Sequence, residues 1–180
     1  MDFDFNYSSV ASIVNAAEKN NLPISALILA QQAQQMEESE EALYSRMREN
    51  FQVMSQCIEP GSSRDVKSTS GLTGGSAYKM RRVAEGGGSL TGSLMAGALY
   101  RALAVSELNA SMGRIVAAPT AGSCGILPAA LLTMQAEKGC PEHDCVMAMF
   151  TASAIGMVIA NNASLAGAQG GCQAECGSAA

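Results

Sequence analysis

Apolar residues recur along this chain at three- and four-residue steps, in stretches separated by three Gly-rich segments. No stretch shows the two-residue alternation of a half-buried strand. That pattern confines the fold to the all-α class. A first helix is predicted over residues 8–20, capped by Ser8 or Ser9, with Val10, Ile13, Val14 and Ala17 on one face. Asn20-Asn21-Leu22-Pro23 breaks it, and Pro23 suits the first turn of the next helix, which carries Ile24, Leu27, Ile28 and Ala30. A third helix begins at Ser39 and carries Leu43, Met47, Phe51 and Met54, with Pro60-Gly61 as its stop. Further helices are predicted over 90–112, with Leu94, Ala98, Ala102 and Val105 along one face, and over 126–138 and 143–160. The chain divides into a helical part, 8–59, and a motif-bearing part, 60–180, within one domain.

The core of such a bundle has to be built from small residues. Aromatics make up 4% of the 180 residues and Trp is absent, so Gly, Ala and Met supply the bulk. Small residues let helices approach closely, and Met fills irregular gaps. The net charge of −5 and the thin spread of Lys and Arg leave no basic face, which argues against a nucleic-acid binder. The start, Met1-Asp2-Phe3-Asp4, lacks the basic and apolar regions of a secretory signal, so a cytoplasmic location is expected. Six cysteines in such a chain read as thiols or metal ligands rather than a disulfide framework. The uncharged run from Cys145 to Ala160 is short for a membrane span and reads as a buried core helix.

The three irregular segments are Ser70 to Gly75, Ala118 to Gly125 and Asn161 to Gly177, the first lying in a Ser/Gly-rich stretch from Gly61 to Gly92. Leu72 looks buried, which favours a functional loop over a linker in the first of them. Backbone N–H groups in Gly-rich turns form nests for anions, and a small carboxylate is the natural ligand. A phosphate fits less well, because no Gly-rich loop ends in Lys-Ser or Lys-Thr. Cys172 and Cys176 share a face if they lie on a helix, and can turn toward one metal if they lie in a loop. Cys57, Cys140 and Cys145 read as buried or incidental thiols, and His143, the only histidine, as a solvated side chain. Glu175, the single charge of the third segment, is either an orienting group or a site residue.

The motifs Ser70-Gly-Leu-Thr-Gly-Gly75, Asn109-Ala-Ser-Met-Gly-Arg-Ile-Val-Ala-Ala-Pro-Thr-Ala-Gly-Ser-Cys-Gly-Ile-Leu-Pro128 and Asn162-Ala-Ser-Leu-Ala-Gly-Ala-Gln-Gly-Gly-Cys-Gln-Ala-Glu-Cys-Gly-Ser-Ala179 resemble, in order, those of the iron–sulfur L-serine dehydratase α chain. The resemblance implies an all-helical catalytic domain, a [4Fe-4S] cluster, and deamination of L-serine to pyruvate and ammonia in amino-acid catabolism. In the family three cysteines hold the cluster and one iron stays open to act as a Lewis acid on the serine hydroxyl. Cys172 matches the first of those ligands, with Cys176 and Cys124 ranked below it. The substrate-binding groups expected on the loops are Ser70, Thr73, Gly74, Gly75, Thr120, Gly122, Ser123 and Asn162.

The family's other two cluster cysteines lie beyond its third motif, so a chain ending at Ala180 is expected to be a partial α chain. Alone it is expected to be inactive and to lack a stable cluster. The resemblance also implies a regulatory β subunit or domain, a homo-oligomeric assembly, and a general base outside this chain. Alternatives of other kinds are a related cysteine or threonine lyase, and a non-catalytic helical module that needs a partner chain.

Overall fold

The computed structural model describes residues 7–180. The acidic start, Met1 to Asp4, lies outside them. Helices run α1 Val10–Asn20, α2 Ile24–Met36, α3 Glu40–Gln56, α4 Ile58–Gly61, α5 Ser76–Glu85, α6 Gly92–Ala110, α7 Ile126–Lys138, α8 Glu142–Asn162, α9 Gly167–Gly170 and α10 Cys172–Ala179, with a 3-10 turn at Ala121–Ser123. No strand occurs among the described residues, so the class is all-α.

Local sequence sets most of these bounds. Ser9 caps α1 by a reciprocal pair of bonds with Ser12, and Ser39 accepts from the Ala42 N–H at 3.1 Å to start α3. Pro23 is the N-cap of α2 and Pro141 of α8, and both lie just ahead of their helices, where a missing N–H costs nothing. Gly139 ends α7 in the left-handed conformation.

Helix α8 is the centre of the main core. Its Cys145, Val146, Met149, Phe150, Ala154 and Val158 pack with Ile13, Ile28, Leu43, Phe51, Met54 and Leu132. Residues before and after position 60 therefore share one core. By length and composition α8 is also long and apolar enough to cross a membrane. Its buried stripe against α2 and α3 is that of a core helix.

Four expectations need correcting. Helix α3 ends at Gln56, and Pro60-Gly61 falls inside the separate turn of α4. The Ser/Gly-rich stretch 61–92 contains helix α5, and the third Gly-rich segment contains α9 and α10. Along α6 the buried residues are Ala96, Gly97, Ala104, Val105 and Glu107, while Leu94 is 43% exposed. Finally, Leu72 is 87% exposed, so its place in the first loop is not set by packing.

Helix α6 organises the motif-bearing half. Helices α4, α5 and α7 all lie against it. Its last turn and a half reaches the first two motif loops, and this places them side by side.

Candidate functional site

The first motif loop is built around serine hydroxyls and a buried carboxylate. Ser68 Oγ accepts from the Thr73 N–H at 3.1 Å and lies 3.1 Å from Ser70 Oγ, while the Ser68 N–H donates to the Thr73 carbonyl at 2.9 Å. Gly74, at φ +145°, passes so close to Val66 that a Cβ would sit 2.1 Å from the Val66 carbonyl oxygen. Only glycine suits that position. Helix α5 then starts on Glu107 of α6, whose carboxylate accepts the N–H groups of Gly75 at 3.0 Å, Ser76 at 2.7 Å and Ala77 at 3.3 Å. Glu107 is buried. The nest formed by Gly75 to Ala77 thus already holds an anion from within the chain. The Thr69 N–H ties the same loop to the Ala110 carbonyl at 3.0 Å.

The second loop is tied to the same end of α6. Asn109 Nδ2 donates to the Ala121 carbonyl at 3.0 Å. A cis Ala118-Pro119 peptide turns the chain into the 3-10 turn. Buried Ser123 bonds within the loop, with Oγ 3.2 Å from Thr120 Oγ1 and accepting the Thr120 N–H at 3.4 Å.

The third segment meets the second through Glu175. A Cβ on Gly122 would lie 2.5 Å from Glu175 Oε2, and one on Gly167 would lie 2.8 Å from its Cδ. The carboxylate is therefore seated between two glycines, one from each segment. Asn162, at the end of α8, turns Nδ2 to the carbonyls of Val158 at 2.8 Å and Ser8 at 3.1 Å. Thr73 is exposed, and its hydroxyl makes no hydrogen bond among the described residues. Beside Pro119 a cavity of about 400 Å³ opens between α3 and α8, lined by Met47, Met54, Met149, Met157, Leu165 and Ser178. Its walls are too apolar to seat a zwitterion.

This row of loops lies within the part of the chain that a known family describes. Residues 19–180 match the family model described as Serine dehydratase alpha chain. The chain belongs to the serine dehydratase alpha chain family. It is 38% identical over 173 residues to the probable L-serine dehydratase, alpha chain, of Bacillus subtilis (strain 168), covering 96% of this chain and 57% of that protein. It is 33% identical over 172 residues to the L-serine dehydratase, alpha chain, of Peptoniphilus asaccharolyticus, covering 96% and 59% respectively. L-serine dehydratase 2 of Escherichia coli (strain K12) is 33% identical over 189 residues, covering 98% of this chain and 40% of that protein. The chain thus spans less than two thirds of the length of each of these relatives.

Five of the six cysteines of this family member fall into two groups, and Cys140 is half-buried between those extremes. Cys57 and Cys124 are buried together with Val105, and Cys145 is buried in the main core. Cys172 and Cys176 are exposed, one turn apart on α10. Burial, and then the neighbouring Cys57, push the Cys124 thiol up to about 11. Burial likewise raises Cys57 and Cys145. Cys124 is thus buried, unlike Cys172 and Cys176 on α10. Among the described residues no group of three or more His, Cys, Asp or Glu stands where it could hold a metal ion. These residues therefore do not by themselves fit an iron–sulfur cluster. His143 is exposed and lies 3.2 Å from the Tyr44 hydroxyl, on the α3–α8 surface.

Alkylation of the native protein at pH 8 should separate the two groups. A thiol pushed from 9.0 to about 11 has roughly 100-fold less thiolate than an ordinary one, before burial is counted. Cys172 and Cys176 should react first and Cys124 only on unfolding, as mass spectrometry of the timed reaction would show. Fast labelling of Cys124 in the folded protein would contradict its placement.

Two site-building residues escaped the sequence reading, Glu107 and Asn109. Asn109 stood in the second motif without a role. Glu107 carried one signal, a lone acid inside a helix otherwise rich in Ala, Gly and Leu. What it caps is a backbone thirty residues away, which no local pattern announces.

Proposed function

We propose that this chain forms part of the active site of an iron–sulfur L-serine dehydratase, which deaminates L-serine to pyruvate and ammonia. The observation that carries the reading is the seating of Glu175 between Gly122 and Gly167. It joins the second and third motif segments of a chain whose relatives are named L-serine dehydratase. The overall reaction removes the α-proton and the β-hydroxyl of serine as water. The 2-aminoacrylate left behind becomes the imine, which takes up water to give pyruvate and ammonia.

The loops divide the labour. The Gly75 N–H, Ser123 and Asn162 are engaged internally and shape the loops. Thr73, Gly74 and Gly122 are exposed and are the groups left to face a substrate, with Ser70 and Thr120 holding their turns. Fixing the substrate by its carboxylate and amine sets the geometry of the reacting Cα and Cβ. A β chain or further domain completes the enzyme in this reading, as the name alpha chain of the relatives suggests.

Of the six cysteines, Cys172 is the one this reading assigns as a cluster ligand. It is exposed, lies at the start of α10, and is one turn from Glu175. In the complete enzyme, prepared anaerobically, Cys172→Ser should lower the iron and sulfide content by more than half, while Cys57→Ser leaves both unchanged. Equal iron in the two variants would remove Cys172 from the ligand set. The activity itself is tested by 2-oxo acid release from L-serine, L-threonine and L-cysteine. Failure to form pyruvate from L-serine would end the proposal.

A further inference from the structure

We propose that the Glu175 carboxylate receives the α-ammonium group of the substrate, and so makes this site selective for an amino acid over the matching hydroxy acid. The inference rests on the function proposed above and adds a subsite to it.

The three motif segments, 70–75, 118–125 and 161–177, hold one ionisable carboxylate between them and no Lys or Arg, and that carboxylate is Glu175. An amino acid enters as a zwitterion. Its carboxylate can be met by the exposed Thr73 hydroxyl and the backbone N–H groups of Gly74 and Gly122. Its ammonium group needs acceptors, and stripping it of water without a negative partner is costly. A site made of neutral loops with a single acid matches that requirement.

Geometry adds to it. Glu175 lies where α10 meets the second loop and α9, within contact distance of the Gly122 and Gly167 backbones. Substituting either glycine would push a methyl group into the carboxylate. The absence of side chains at both positions therefore leaves room for the acid at the junction of the loops. Yet no hydrogen bond or ion pair of its side chain occurs among the described residues. Glu107 presents the opposite case, with both of its oxygens taken up by backbone N–H groups. Glu175 is half-buried, so a ligand can reach it and gain from partial removal of water. It also lies three residues from Cys172 on the same helix, a spacing that puts both on one face.

The test uses the complete enzyme and two ligands that differ in one group. L-Serine carries the ammonium; 3-hydroxypropionate keeps the carboxylate and β-hydroxyl and lacks it. In Glu175→Gln the KM for L-serine should rise about 10- to 100-fold, the range set by losing one charged hydrogen bond, while inhibition by 3-hydroxypropionate stays within threefold. Glu175→Asp, which keeps the charge on a shorter arm, should fall between the two. Where turnover is too low to measure, equilibrium binding of the two ligands gives the same comparison. Equal weakening of both ligands would mean that Glu175 only supports the loops, and unchanged serine affinity would mean that it does not meet the substrate. Either result overturns the inference while wild-type turnover of L-serine still stands. A wild-type enzyme inactive on L-serine would instead overturn the function on which the inference depends.

Discussion

Replacing Glu107 by alanine is expected to destabilise the protein by about 3 kcal/mol, because one buried carboxylate accepts from three backbone donors, none of which makes another hydrogen bond among the described residues. In a chain of this size that corresponds to a fall of roughly 10 °C in melting temperature. The loss should be local in its first effects. Helix α5 has no side-chain cap of its own, and Gly75 at its N-cap adopts φ +78°. Without Glu107 the first turn of α5 and the loop from Ser68 to Gly75 lose their anchor on α6. Hydrogen exchange should therefore accelerate at Gly75, Ser76 and Ala77 before it does in α8. Glu107→Gln keeps one acceptor oxygen and should cost about half as much. A melting temperature unchanged in Glu107→Ala would show that water replaces the carboxylate at no cost, and that the loop does not depend on it.

Why the sequence revealed α7 and α8 but not α5 follows from where each helix gets its stability. Helix α7 runs Ile126–Lys138 as its own signals indicate, with Pro128 in the first turn and Gly139 just beyond the end. Helix α8 carries the long uncharged run from Cys145 to Ala160 and is bounded by Pro141 and Asn162. Helix α5 has neither. Its residues, Ser-Ala-Tyr-Lys-Met-Arg-Arg-Val-Ala-Glu, place Ala77, Met80 and Ala84 on one face, but only Ala77 is fully buried, and its start is defined by a carboxylate from α6. That short stripe of small and medium residues was masked by the Ser/Gly content on both sides, which made the region read as loop. The exposed Leu72 failed for a related reason: an apolar residue in a Gly-rich turn has no periodicity from which burial can be inferred. Of the candidate site, the motif loops were legible as Gly-rich segments, and Glu175 stood out as an isolated charge. That Glu175 sits against Gly122 was not legible, since it depends on α10 folding back onto the second loop.

The shortage of aromatic side chains leads to the last prediction. A core built from small residues gains its contacts by bringing backbones together, and α6 shows this on two sides. Gly61 at the end of α4 is so near α6 that a Cβ would lie 2.0 Å from the Ala104 carbonyl oxygen, and a Cβ on Gly125, before α7, would lie 2.5 Å from the Ala102 carbonyl oxygen. Both obstacles are backbone atoms of a nineteen-residue helix, which cannot rotate away as a side chain would. Gly61→Ala is therefore expected to force α4 off α6 and to cost at least about 3 kcal/mol, at the upper end of overpacking penalties. Gly156 in α8 is a built-in control, because a methyl group there meets nothing within 4 Å. Gly156→Ala should be neutral or stabilise by up to about 1 kcal/mol, since alanine favours helix more than glycine does. Chemical denaturation of the two variants side by side decides the matter. If both shift the midpoint alike, close backbone approach at Gly61 is not what holds α4 against α6, and the position of the first motif loop, which follows α4 in the chain, has to be set by Glu107 and Ala110 alone.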